Sequence, residues 1–190
     1  MTKITRKTKE TDITVELSLY GSGKSNIKTG IGFFDHMLEA FSKHSSIDLN
    51  LTCKGDTHID FHHSVEDVGI VLGQALKEAI YPIQNVERYA NAVVVMDEAA
   101  VECSLDLSNR AFLVYDVCLD GKVGEFDAEL AEEFFRAVVV NAGLTVHLIP
   151  QRGKNRHHIL EATFKSFAVA LRRALVKNDS LGIPSTKGVL

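Results

Sequence analysis

The sequence predicts an α+β fold built from two copies of one βββαβα half, about residues 1–90 and 91–190, within a single domain. Three observations predict it. The pattern HHxxE occurs twice, as His62-His63-x-x-Glu66 and His157-His158-x-x-Glu161. Each copy opens an amphipathic run, and the segment HSSIDLNL before the first lines up with NAGLTVHL before the second, as repeated structural units do.

In the first half, KITRKTKET, ITVELSLY and SNIKTG are short alternating or β-branched segments, separated by Asp12 and the Gly21-Ser22-Gly23 turn. Three strands are expected there. FFDHMLEAFSKHS then spaces apolar residues at 34, 37, 38 and 41, the helical period, and the alternating IDLNLTCKGD supplies a fourth strand. From His62 to Ile80, the residues Val65, Val68, Leu72, Ala75 and Ala79 fall on one stripe and predict the second helix. The order repeats: NAVVVMDEA, VECSLDLS and AFLVYDVC read as strands, DAELAEEFFRAVVVNA as a helix, LTVHLIP as a strand, and residues 157–176 as the last helix. Gly69 and Gly73 lie on the side of the first HHxxE helix that carries His62 and Glu66. Glycines there either admit a close backbone or ligand or are merely tolerated in a buried helix.

With 190 residues and 45% hydrophobic content, the chain can bury one substantial core or two coupled ones. A net charge of −4 offers no footprint for nucleic acid, despite the local pair Lys154 and Arg156. The three cysteines, Cys53, Cys103 and Cys118, sit in apolar strand-like runs and read as reduced core thiols, which predicts a cytoplasmic protein. Neither a signal peptide nor a run of about 18 apolar residues is visible, so secretion and membrane spanning are not expected.

On a helix, His62 and Glu66 stand about 40° apart on one face, while His63 points about 100° away from His62. One metal can therefore join His62 with Glu66, and His63 needs a second metal completed from another helix or subunit. The same geometry applies to His157, Glu161 and His158. Imidazole and carboxylate ligands without thiolate suit Mn²⁺ first, with Fe²⁺, Co²⁺ or Zn²⁺ as alternatives. His36 begins another helix, and its counterpart in the repeat is Glu133; both residue types can ligate. His44, His58 and His147 have no carboxylate at ligand spacing. Lys165 follows Glu161 by one helical turn, and with the Ser185–Gly188 loop it favours an anionic, phosphorylated substrate.

The strings GFFDHMLEAFSKH, GDTHIDFHHSVEDVGIVLGQAL, MDEA, LDLSNRAFLV, VGEFDAELAEEFFRA, NRHHILEATFKSFAVALRRA and PSTKGVL together resemble the imidazoleglycerol-phosphate dehydratase family of histidine biosynthesis, nearly end to end. The resemblance implies halves of the ribosomal protein S5 domain 2-like class, packed through their helices with the sheets outside. It also implies a homo-oligomer of twenty-four subunits, with two Mn²⁺ per subunit bound where subunits meet. Carried over by position, the metal ligands are His36, His62, His63, Glu66, Glu133, His157, His158 and Glu161, where Glu133 takes a place that is His in some relatives. Glu66 and Glu161 are then both ligands and part of the catalytic set. Glu10 matches an acidic residue beside the reacting substrate, and Arg88, Arg110, Lys165, Ser185 and Lys187 match its phosphate and substrate contacts. Two departures stand out: Ala40 replaces a frequent Gln, and Phe61 replaces the second Asp of DDHH.

The implied reaction removes water from D-erythro-imidazole glycerol phosphate to give imidazole acetol phosphate. The C2–H bond that breaks is not acidic alone, so the ring must act as electron sink, through a Mn²⁺-bound imidazolate and a diazafulvene-like intermediate, with Glu10 as base. Two rivals use the same ligands, a metal-storing cage and a metal-dependent phosphohydrolase. Because the two halves use all 190 residues, no fused phosphatase-like domain is expected.

Overall fold

The computed structural model describes residues 1–180, 182–186 and 188. The first half runs β1 (Thr2–Lys7), β2 (Thr11–Ser18), β3 (Ser25–Lys28), α1 (Gly32–Ser45), β4 (Asp48–Gly55) and α2 (His62–Ile80). The second runs β5 (Tyr89–Met96), β6 (Ala99–Asp106), β7 (Phe112–Tyr115), β8 (Lys122–Val123), β9 (Phe126–Asp127), α3 (Leu130–Ala142), β10 (Thr145–Arg152) and α4 (Arg156–Ala174). The sheet orders β1-β2-β4-β3 and β5-β6-β10-β7 are the same topology written twice. In each, the third strand pairs parallel to the last and the remaining neighbours are antiparallel. The small β8–β9 hairpin is an addition to the second half that the alternation pattern did not predict.

Alternation explains why each sheet has one covered face. In β2 every second residue from Thr11 is buried, so Ile13, Val15 and Leu17 point at the helices, and in β6 Val101, Cys103 and Leu105 do the same. Helix α2 packs on β1, β2 and β4, and α4 on β5, β6 and β10, which leaves the helices between two outer sheets. The helices make their main pairings across the halves: α1 runs along α4, with Phe41 stacked on Phe167 at 5.7 Å, and α2 runs along α3.

Gly69 and Gly73 settle which of their two readings holds. An added Cβ at Gly69 would lie 2.8 Å from Ala137 Cβ and 2.9 Å from Phe134 O, and one at Gly73 would lie 2.7 Å from both Asn141 Cβ and Val138 O. They are the grooves into which α3 fits. Cys53 and Cys103 are buried, as expected, but Cys118 is exposed because β7 ends at Tyr115 and the chain leaves the sheet before reaching it.

Gly73→Ala should therefore destabilise the protein although alanine is the better helix former by about 1 kcal/mol. Overpacking against a helix backbone typically costs about 1–3 kcal/mol. Gly32, with open space around its Cβ position, is the control. In urea denaturation of metal-free protein, the midpoint should fall for Gly73→Ala and hold for Gly32→Ala.

Candidate metal and substrate site

In both HHxxE motifs the histidine pair lies in the first turn of a helix and the glutamate in the second, and local hydrogen bonds pin the first turn. The His62 N–H donates to Asp60 Oδ1 at 2.8 Å, and the His157 and His158 N–H groups donate to the Asn155 side chain at 2.9 and 3.4 Å. These side chains satisfy backbone donors that an open helix start leaves unpaired. With the turn fixed, the i, i+4 rule acts as expected: His62 Nε2 is 3.6 Å from Glu66 Oε2, and His157 Nε2 is 3.1 Å from Glu161 Oε2.

The crossed packing of α1 on α4 adds a third group to the second pair. His36 Nε2 stands 3.8 Å from Glu161 Oε2, and one ligand atom each from His36, His157 and Glu161 all lie within 4.8 Å of one another. Such N and O donors fit a divalent ion of the Mn²⁺ type, and nothing soft competes. Among the described residues no other trio of possible ligands converges as closely. Glu133, half-buried on α3, sits one residue before Phe134, whose carbonyl faces Gly69, and it does not join His62 and Glu66 at that distance.

Glu161 is the most buried carboxylate of the set, its side chain 8% exposed. Burial resists its ionisation, but the Lys165 ammonium, 2.5 Å from Oε1, outweighs that with help from His157, and the carboxyl is held below its ordinary value. Lys165 is thus tied to a ligand residue. Helix α2 has Ile70 at the corresponding position, so Glu66 lacks this partner and is 45% exposed.

The second histidine of each motif turns elsewhere, as helical geometry requires. His63 Nδ1 bonds Asp56 Oδ2 at 3.0 Å, and His158 Nδ1 bonds Glu98 Oε2 at 2.7 Å. Those hydrogen bonds raise the pKa of both imidazoles, and the His63 bond lowers that of Asp56. Glu98 is lowered to about 2, first by the Asn155 N–H, then by His158 and the Lys154 N–H. Neither carboxylate was found from sequence. Asp56 precedes His63 by seven residues across the β4–α2 loop and Glu98 comes from a turn sixty residues from His158, although the acidic residues of MDEA were a visible signal.

Glu10 lies exposed in the β1–β2 turn, near enough to His63 for its charge to favour the protonated ring. Arg88 has a left-handed backbone, φ 67°, and its guanidinium is clamped by Asp106 at 2.7 Å and by Pro184 O at 2.7 Å, over the Tyr89 ring. This brings the Ser185 segment beside Arg88, and Ser185 N–H donates to Ile183 O. The Arg110 side chain is exposed at the β6–β7 connection, its carbonyl accepting from Ser108 and Thr145. Lys187 lies outside the described residues. Of the two departures, Ala40 is buried in α1, and Phe61 packs its ring partly against the core at the start of α2. No helix among the described residues is long and apolar enough to cross a membrane.

A family model described as imidazoleglycerol-phosphate dehydratase matches residues 29–171. The imidazoleglycerol-phosphate dehydratase of Aliarcobacter butzleri (strain RM4018) is 74% identical over 190 residues, 100% of both chains, and that of Campylobacter curvus (strain 525.92) is 68% identical over 189 residues, 99% of this chain and 97% of the relative. The crystal structure of the imidazoleglycerol-phosphate dehydratase from Staphylococcus aureus subsp. aureus N315 has a TM-score of 0.83 at 42% identity, covering 93% of this chain and 99% of that one. One from Pyrococcus furiosus, in complex with (S)-C348, has a TM-score of 0.85 at 39% identity, covering 98% and 100%. The doubled sheet topology, the two HHxxE helix starts and these full-length likenesses agree: the chain belongs to the imidazoleglycerol-phosphate dehydratase family.

Proposed function

We propose that the chain is a Mn²⁺-dependent hydro-lyase of histidine biosynthesis, which takes D-erythro-imidazole glycerol phosphate to imidazole acetol phosphate and water. The observation that carries the metal part is the convergence of His36, His157 and Glu161 within 4.8 Å. His36, His157, Glu161 and His63 would hold one ion, and His62, Glu66, Glu133 and His158 the other. When bound, Mn²⁺ would supply Lewis acidity to a substrate ring nitrogen, so that the ring could draw electrons as the C3 hydroxyl departs.

The chain's own groups do the rest. A carboxylate oxygen of Glu10, exposed at a turn beside His63, takes the C2 proton, leaving an enol that becomes the ketone. Lys165 keeps Glu161 ionised, hence able to ligate, at a depth where burial would favour the acid. The Arg110 guanidinium, with Arg88, Ser185 and Lys187, receives the phosphate, for which charge-assisted bonds are the strongest available. Cytoplasmic placement accords with the free thiols of Cys53 and Cys103.

One geometric fact favours sites assembled between subunits. The Arg88 N–H bonds Ala174 O at the last turn of α4, whereas His157 and Glu161 lie in its first two turns. Those ends are about 20–25 Å apart along the helix. A small substrate does not span that distance, which supports the reading in which Arg88 and the Glu161 metal serve one site from different subunits. This supports a homo-oligomer, of twenty-four subunits by family resemblance.

Anomalous scattering at the Mn edge should locate two ions per subunit, with the two histidines of each HH pair on different ions. Both on one ion would overturn the assignment. Removing Mn²⁺ with EDTA should break large assemblies into smaller species that re-form when it is restored, because ligands borrowed across subunits link metal binding to assembly. Light scattering checks this.

Two substitutions separate binding from chemistry. Arg110→Ala should raise KM with Mn²⁺ content unchanged, since one charge-assisted contact is worth about 1.5–3 kcal/mol. Glu10→Gln should keep substrate and Mn²⁺ bound while kcat falls. Turnover of Glu10→Gln at the parent rate under saturating substrate would remove Glu10 from the chemistry.

A further inference from the structure

The two halves share a topology but not the source of the carboxylate that holds their second histidine. Residue equivalence follows from register. Ser18 pairs with Asp48 and Asp106 with Thr145, so β2 and β6, both of eight residues, align end to end. Glu10 immediately precedes β2 and Glu98 immediately precedes β6, which makes Glu10 and Glu98 counterparts. By the same register Asp56, just past β4, corresponds to the Gly153-Lys154 step just past β10, the bulge between Pro150 and Arg152 accounting for the offset.

In the first half, Asp56 Oδ2 takes His63 Nδ1 at 3.0 Å, and the turn residue Glu10 contributes only its carbonyl, which accepts the Asp56 N–H at 3.1 Å. In the second half the strand end is Gly153-Lys154 and supplies no carboxylate, and at Gly153 a Cβ would lie 2.6 Å from Ile159 Cγ1. Glu98 reaches across instead. Its Oε1 accepts from the N–H groups of Lys154 and Asn155 at 3.0 and 2.7 Å, and its Oε2 takes His158 Nδ1 at 2.7 Å.

We propose that Asp56 and Glu98 are the positioning residues that hold His63 and His158 as Nδ1–H tautomers with Nε2 free to ligate, and that Asp56, by taking this task in the first half, releases the turn carboxylate Glu10 for proton transfer. The physical reason is that a neutral ring ligates only through the nitrogen that carries no proton, and of the two neutral tautomers a carboxylate, having no proton to donate, accepts only from Nδ1–H and so leaves Nε2 as the ligand atom. The duplication thus yields one site-facing turn carboxylate per chain instead of two. Glu98 has the same topological place as Glu10, but its oxygens are occupied by two backbone donors and an imidazole.

The inference rests on the metal reading above, and its test reads Mn²⁺ binding and ring tautomer instead of turnover. Glu98→Gln is the sharpest variant. The amide oxygen can keep both backbone donors, while the NH₂ must donate to Nδ1 and so drive the proton to Nε2. Mn²⁺ affinity at the His158 site should drop about 10- to 100-fold, the usual range for such partners, and ¹⁵N ring shifts of the metal-free protein should report the switched tautomer. Asp56→Ala should weaken the His63 site within the same range. Glu10→Gln should leave both affinities within about twofold. Melting of the metal-free protein controls for misfolding, and Glu98→Asp should restore the tautomer if charge polarity is the cause. Parent-like Mn²⁺ binding by Glu98→Gln and Asp56→Ala, or an equal loss in Glu10→Gln, overturns the division of roles. A parent protein that binds no Mn²⁺ overturns the metal reading and this inference together.

Discussion

The site depends on one packing constraint: each half places its first helix against the last helix of the other half. His36 on α1 belongs to the first repeat, yet it meets His157 and Glu161 on α4 because α1 runs along α4 and stacks Phe41 on Phe167. If each half had closed on itself, His36 would face α2 and the trio would not exist. The apolar contact that orders the core and the polar convergence at the helix starts are consequences of the same crossing. Fusing two small units this way also solves a stability problem, since a half of about 90 residues buries proportionally less surface than the whole.

Exchange between halves is not symmetric, and the differences lie in the second-rank residues. On α2, Gly69 and Gly73 bring the α3 backbone close, whereas the matching places on α4 are Phe164 and Ala168, and Phe164 fills its space by packing on Phe134 and Phe135. Glu161 is buried and held ionised by Lys165, while Glu66 faces Ile70 one turn on and stays half exposed. The two His–Glu couples therefore differ within the chain itself. The α4 couple is assembled within the chain, with its carboxylate oriented, and the α2 couple has further to be organised by its surroundings.

Period and repetition made most of this architecture legible in the sequence. The three- and four-residue steps of α2 and the alternation of β2, β4 and β6 follow directly from which side of each element must meet the core, so their boundaries came close to the observed Thr11–Ser18, Asp48–Gly55, Ala99–Asp106 and His62–Ile80. The His62–Glu66 and His157–Glu161 couples were legible for the same reason, being local. What could not be read is what depends on how turns and loops come back on the chain: Glu98 on His158 and Arg88 on Asp106, fixed by how separate strands and turns meet, and Asp56 on His63, only seven residues apart but joined by an irregular loop that carries no period. The β8–β9 hairpin, only two residues a side, is too short to leave an alternation signal, and Cys118 looked like a strand residue because the apolar run outlasts the strand.

Exposure of the ligands bears on the level at which the site is complete. The His36, His62 and Glu66 side chains are 53%, 45% and 45% exposed, and a cavity of 560 Å³ lies apart from them, beside Tyr20, Arg172 and Lys177. Lewis-acid chemistry on an imidazole gains most where water is excluded and the local dielectric is low. A surface carrying half-wet ligands supplies neither condition alone. The chain places its two His–Glu couples near the N-terminal ends of α2 and α4 and ties Arg88 to the last turn of α4, so on the proposed inter-subunit reading the surface of another subunit would both bring that end to the couples and expel the water. On that reading assembly is a condition of the chemistry, and a shared divalent ion would offset the cost of burying the exposed His62 and Glu66 at an interface.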